Sequence, residues 1–317
     1  MSKLTMMLAI ILSLHLVACG ANAGAGTGNA NGKLQVVATT GQIGDAVANI
    51  GGDAVELETL FGPGIDPHLY VPTESDVTTL GGANVIFYNG LHLEAQMERV
   101  MQQVAQRGVI VVAIGEVLPE ARLLRWDAQT PYDPHVWNDP SLWKIGVEAI
   151  RDTLIEADPD NAEQYRTNTE AYLAEIDAAD EFVREQVERI PPERRVMITA
   201  HDAFGYFAEN YGFEQRGLQG ISTESEAGTN DVQQLADFIV ERQVPAIFVE
   251  SSVPPDTIEA VQAAVSARGF EVSIGGELFS DALGTPGTPE GTYSGMLRHN
   301  AQTLADALSQ GTLNSEQ

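Results

Sequence analysis

The sequence predicts an α/β fold of two lobes, each a mostly parallel sheet flanked by helices, joined by a long rigid backbone helix. Three observations predict it. Short β-branched apolar runs alternate with helical patterns, which is how parallel sheets covered on both faces read in sequence. The strand candidates fall into two groups, before residue 115 and after residue 195. Between the groups, Pro159–Ile190 carries an amphipathic helical pattern with no glycine and no internal proline.

Strands are predicted at Leu34–Thr39, Val55–Phe61, Val85–Tyr88 and Val109–Ile114 in the first group. The second group holds Val196–Ala200, Ala246–Glu250 and Glu271–Ile274. Apolar spacings of three and four predict helices at Gln42–Ile50, Glu74–Leu80, Leu91–Arg107, Asp231–Arg242, Pro255–Arg268 and Tyr293–Leu308. Thr73 predicts a cap, with Asp76 three residues on. Asp139-Pro140 and Asp158-Pro159 each read as a cap followed by proline at the first helical position. In the central pattern Tyr165, Tyr172, Ile176, Ala179, Val183, Val187 and Ile190 recur at threes, fours and a seven. They predict one spine helix, or two with a break near Asp177–Asp180. A faint repeat, "TTGQIGDAVANIGG" at 39–52 and "TAHDAFGYFAENYG" at 199–212, places a strand end, a turn, a helix and a glycine in each half.

The chain has 317 residues, is 44% hydrophobic and carries a net charge of −28. That surface repels phosphate backbones and excludes nucleic acid as a partner. A single cysteine, Cys19, excludes an intramolecular disulfide and a Cys-based zinc site. Residues 1–18 read as an export signal: Lys3 near the start, then an apolar stretch from Leu4 to Val17 too short for a comfortable membrane span. Leu16-Val17-Ala18-Cys19 resembles a bacterial lipobox, which implies cleavage before Cys19 and lipidation of Cys19. Residues 19–32 then form the lipidated cysteine and a Gly/Ala/Asn tether of roughly 20 Å reach. Residues 33–140 are expected to form the first lobe, 141–194 the linking helices and 195–317 the second lobe. The protein is expected to be extracytoplasmic, anchored to a membrane through its lipid, and monomeric.

Asp-Pro-His occurs twice, in "GPGIDPHLYVPT" and "PYDPHVWNDP". The chain has six histidines, and one of them, His15, lies in the leader. Proline holds Asp66 and Asp133 out of helix, so His68 and His135 each sit in a fixed loop. An aspartate two positions earlier is placed to orient each imidazole. His201 follows the strand "VMIT" at its carboxyl end, where ligands bind in open α/β sheets. Asp281, in "GGELFSDALG", again follows a strand. Three imidazoles and a carboxylate, two from each lobe, would make a four-residue metal site in the cleft. None of these spacings is a metal motif by itself.

The chain resembles the zinc/manganese solute-binding lipoproteins of ABC importers, a group that includes adhesin-like lipoproteins. The resemblance runs from about Leu34 to Leu308 and rests on "GIDPHLYVPT", "DPHVWNDPSLW", "TAHDAFGYFAENYG", "GISTESEAG", "PAIFVESS" and "GGELFSDALG" followed by "GTYSGMLRHN". It implies a helical-backbone metal receptor, not an enzyme, whose ligands are His68, His135, His201 and Asp281. The choice of Asp281 rests on the resemblance. The cargo implied is one divalent metal ion, delivered to a membrane permease with its ATPase. Three nitrogens suit zinc more than manganese. Against a dedicated zinc scavenger, residues 115–131 contain no histidine, where zinc-specific relatives often carry a His-rich loop. Imidazoles must be neutral to ligate, so affinity is expected to fall as pH drops through about 6.5.

His92, opening a predicted helix, and His299 are read as structural. Trp126, Trp137 and Trp143 are read as core or lobe-interface packing, and Glu224 and Glu226 as support for the cleft without an assigned role. The competing functions are a surface adhesion lipoprotein and a metal-dependent hydrolase.

Overall fold

The computed structural model describes residues 32–127 and 131–309. The expected leader, Cys19 and all but the last residue of the tether lie outside the described residues. The first half runs β1 (Leu34–Ala38), α1 (Gly41–Gly51), β2 (Val55–Thr59), α2 (Glu74–Gly82), β3 (Val85–Tyr88), α3 (Glu98–Ala105) and β4 (Ile110–Ala113). These strands form one parallel sheet in the order β2-β1-β3-β4. Val36, Val37 and Ala38 are all buried in succession, as a strand covered on both faces requires. The chain leaves β1 for β2 on one side and β3 on the other, so a crevice opens at the carboxyl ends of β1 and β3.

Two helices link the halves, α4 (Pro140–Ala157) and α5 (Ala162–Glu188). Asp139 caps α4, accepting from Ser141 N and Leu142 N, and Pro140 takes the first position. The spine α5 is 27 residues, about 40 Å, with no break at Asp177–Asp180. It is shorter than the sequence pattern. Pro159–Asn161 form a 3-10 turn tied to Asp158, which accepts from Asn161 Nδ2 and Tyr165 OH, each at 2.7 Å. At the far end Pro191 denies Ile190 a helical conformation. Tyr165, Thr169, Tyr172, Ile176, Ala179, Val183 and Val187 form the buried stripe of α5, which packs on α1 and α4.

The second half runs β5 (Val196–Thr199), α6 (Gly205–Tyr211), β6 (Glu214–Gly217), α7 (Thr229–Arg242), β7 (Ala246–Glu250), α8 (Asp256–Ser266), β8 (Ser273–Leu278) and α9 (Tyr293–Ser309). Its strands are parallel but divided into two hydrogen-bonded pairs, β5-β6 and β7-β8, with β5 and β7 side by side. Helix α9 returns to pack along the spine, so α1, α4, α5 and α9 share one core.

The repeat is structural: β1-α1-β2 and β5-α6-β6 are both parallel strand–helix–strand units. Their helices are followed by Gly52 (φ +50°) and Gly212 (φ +75°) in backbone conformations open to glycine. Three elements and one tryptophan depart from the sequence reading. The predicted helix Leu91–Arg107 begins only at Glu98, because Leu91 (φ 53°) and His92 (φ 66°) turn left-handed. The turn folds around buried Glu94, which accepts from Thr39 Oγ1 (2.7 Å), Asn89 N (2.8 Å) and Gly90 N (3.0 Å). His92 therefore does not open a helix; it pairs with Glu98 at 2.7 Å. Strand β6, "EQRG", carries no apolar signal. β8 starts two residues later than the predicted Glu271–Ile274 and runs on to Leu278, with a register irregularity against β7. Trp137 and Trp143 are fully buried, but Trp126 is 46% exposed, beside Gly220.

Candidate metal centre

His68 lies in the loop after β2. Asp66 Oδ1 accepts from His68 N at 2.9 Å and fixes the Asp-Pro-His turn. Asp133 makes the same turn, accepting from His135 N at 2.9 Å, and the 3-10 turn Val136–Asn138 follows directly. His201 lies two residues beyond β5, and Asp281 three beyond β8.

The fold brings the ligand-capable atoms of all four within 4.8 Å of one another. His68 Nε2 is 3.3 Å from His135 Nε2. Asp281 divides its oxygens: Oδ1 lies 3.4 Å from His135 Nε2, and Oδ2 lies 3.2 Å from His201 Nε2 and 3.9 Å from His68 Nε2. All four side chains are at most 2% exposed. Nε2 of His201 and Oδ1 of Asp281 are buried without a hydrogen-bond partner among the described residues. Most buried polar atoms in proteins are hydrogen-bonded, so these two are open to a further partner.

Carboxylates behind the cluster orient two rings. Asp133 Oδ1 lies 2.7 Å from His135 Nδ1, as the sequence predicts. Glu250 Oε2 lies 2.7 Å from His201 Nδ1, and Glu250 Oε1 accepts from His201 N at 2.9 Å. Asp66 differs: its second oxygen accepts from Thr223 Oγ1 at 2.6 Å rather than from the His68 ring. The sequence reading missed Glu250 and Thr223. Glu250 is legible in hindsight as the polar end of the strand "AIFVE", beside the strand that leads to His201. In "STESE" it is Thr223 that is turned inward, while Glu224 and Glu226 are exposed and do not support the cluster. His299 stands apart, with Nε2 3.0 Å from Glu277 O and its ring against Phe279.

Burial sets the charge states. It pushes the His68 imidazole down to about 3, against the pull of Asp281, so this ring is neutral at physiological pH. Burial also acts to lower His201, but the Glu250 and Asp281 carboxylates override it and hold that imidazole well above its ordinary value. Asp281 is buried too, yet the imidazoles, His201 foremost, hold it well below the usual carboxylate range. Without a metal the cluster is thus an imidazolium between two carboxylates, beside neutral His68. Chemically it offers three ring nitrogens and a carboxylate with both oxygens turned inward.

A family profile described as "Zinc-uptake complex component A periplasmic", or ZnuA, matches residues 36–307. The zinc-binding protein TroA of Treponema pallidum is 50% identical over 280 residues, 88% of this chain and 90% of that one. The manganese-binding lipoprotein MntA of Bacillus subtilis is 43% identical over 299 residues, 94% and 97% of the two chains. The solved structure of the Treponema pallidum periplasmic zinc-binding protein TroA superposes with a TM-score of 0.86 at 49% identity, covering 88% of this chain and all of the other.

Proposed function

This chain belongs to the ZnuA family of metal-binding substrate-binding proteins, and from that premise we propose that it captures one divalent transition metal ion outside the cytoplasm and hands it to an ABC importer. The ion, zinc or manganese, is cargo. It passes to the membrane permease, which a separate ATPase drives. His68, His135, His201 and Asp281 hold it. The observation that carries this reading is the convergence of their four ligand-capable atoms within 4.8 Å in a buried site. Burial of all four favours sequestration over turnover, because a catalytic metal keeps a position open for water.

Zinc is the first choice. A tetrahedral zinc with bonds of about 2.0–2.1 Å separates its ligands by roughly 3.3 Å. The 3.3 Å between the His68 and His135 Nε2 atoms and the 3.2 Å from His201 Nε2 to Asp281 Oδ2 are close to that spacing, while His68 Nε2 stands 3.9 Å from the same oxygen. Manganese is the second reading, supported by the 43% identical manganese-binding relative and by the two Asp281 oxygens, which allow bidentate, oxygen-richer coordination. The protein acts as a lipid-anchored monomer through Cys19; among the described residues no helix is long and apolar enough to cross a membrane. The working units are 33–140, 141–194 and 195–317.

The test is metal content. The protein is purified without chelator or His tag and its metals counted by plasma mass spectrometry, beside a His68→Ala, Asp281→Ala double variant. One equivalent of zinc or manganese, lost in the variant, is expected. No metal in either protein after incubation with both ions would remove the ligand assignment.

A further inference from the structure

The ligands sit at 2% exposure or less, so an ion cannot reach or leave them unless a loop moves. The ligand loops are tied down unequally. The His135 loop is pinned by buried bonds: Asn89 Nδ2 donates to Pro134 O (2.9 Å), Tyr206 OH to Asp133 O (3.0 Å) and Asn138 Nδ2 to Ala203 O (2.9 Å). Trp137 Nε1 donates to Ser280 O at 2.9 Å and fastens the Asp281 loop to the same region. His201 is held by Glu250 and by Thr199 Oγ1, which donates to His201 O at 2.8 Å.

The His68 loop, residues 62–73, is different. Leu69 is 53% and Val71 67% exposed. Among the described residues, one hydrogen bond carries this loop across to the second half: Thr223 Oγ1 to Asp66 Oδ2, at 2.6 Å. The other oxygen of Asp66 accepts from the backbone of His68 itself, at 2.9 Å. A single carboxylate therefore connects the backbone of a ligand residue to a buried hydroxyl on the opposite lobe.

We propose that Thr223, acting through Asp66, is the positioning residue that sets how fast the site exchanges its ion. The inference rests on the metal reading above. Neither partner of the bond is a ligand, so the bond holds the loop whether or not an ion lies beneath it. Breaking it frees the His68 turn of this loop, whose remaining ties, Tyr70 OH to Asp76 and Thr73 to Asp76, stay within the first half, and opens the route for both uptake and release. Removing the hydroxyl therefore speeds both rates together and leaves their ratio nearly unchanged.

The test uses zinc as the probe, with stopped-flow uptake from buffered zinc and release to a chelator. Wild type, Thr223→Val, Thr223→Ser and His68→Ala are compared, with the melting temperature of each metal-free protein. Thr223→Val is expected to raise both rates about tenfold, the effect of losing one hydrogen bond to a charged group. Its equilibrium affinity stays within about threefold, and Thr223→Ser restores wild-type rates. Wild-type rates in Thr223→Val, a loss of affinity with unchanged uptake, or no rescue by serine would each overturn the proposal. Zinc binding that is lost in His68→Ala while Thr223→Val keeps wild-type rates removes the latch and spares the ligand assignment. Wild-type zinc binding in His68→Ala removes both.

Discussion

Glu250 Oε2 lies 2.7 Å from His201 Nδ1, and the same carboxylate accepts the His201 backbone N–H. One residue thus sets the ring's tautomer, its orientation and the path of its backbone. Glu250→Gln keeps the volume and removes the charge. Metal affinity is expected to fall about 10- to 100-fold, the usual effect of removing an orienting partner. A competitive chelator titration measures it, and unchanged affinity would show that Asp281 alone suffices to place the ring.

With the proposed ligand set, His201 is also the group whose proton an incoming metal has to displace. Its imidazole is held well above 6.5, while His68 is already neutral. Binding one ion should therefore release about one proton, and affinity should keep rising as pH increases above about 6.5. This moves the window upward from the sequence-based expectation of a threshold near 6.5. Calorimetry in buffers of different ionisation enthalpy counts the protons; no release at pH 7 would contradict the charge assignment.

The same shifts predict how metal-free stability depends on pH. A raised His201 contributes stability that is complete below about 6.5 and is lost as pH rises through its folded value. His68 acts oppositely. Between about 3 and 6.5 the unfolded chain binds the proton and the folded chain does not, so stability falls as pH drops through that window. Together the two place a maximum near pH 6.5. Denaturant melts of chelator-treated protein from pH 4 to 9 measure it, and a monotonic profile would mean other groups dominate.

Gly205 lies against the carboxylate that orients His135. A Cβ there would stand 2.6 Å from Asp133 Oδ2. Gly205→Ala should push Asp133 off the imidazole and weaken metal binding by about 10- to 100-fold without touching a ligand. If affinity holds, the carboxylate can swing aside at no loss and its orienting role is minor.

Metal should stabilise the fold by mass action. At a free ion concentration 100 times the dissociation constant the gain is about 2.7 kcal/mol. The thermal shift on adding zinc should vanish in Asp281→Ala. An equal shift in that variant would place the ion elsewhere.

The alternation of apolar runs and helical patterns was enough to place both lobes and the spine, because parallel strands buried on both faces and amphipathic helices leave strong local periodicities. The two Asp-Pro-His turns were legible for the same reason: proline and a short aspartate act within three residues. Thr73 accepting from Asp76 N is likewise a local cap. Where the reading failed, a distant group had won. The left-handed turn at Leu91-His92 exists because Glu94 collects Thr39, 55 residues away, along with its own neighbours.

By itself, then, the sequence determined the fold class and three histidines that sit in turns or at a strand end, since those follow from local sterics and periodicity. Resemblance added Asp281. Only the tertiary structure decided what stands behind those side chains. Glu250 reaches His201 across 49 residues, and Thr223 reaches Asp66 across 157. The charge on His201 depends on two carboxylates brought to one buried ring by separate strands. Such contacts carry no periodicity, because a hydrogen bond between distant segments constrains one residue at each end and leaves its neighbours free.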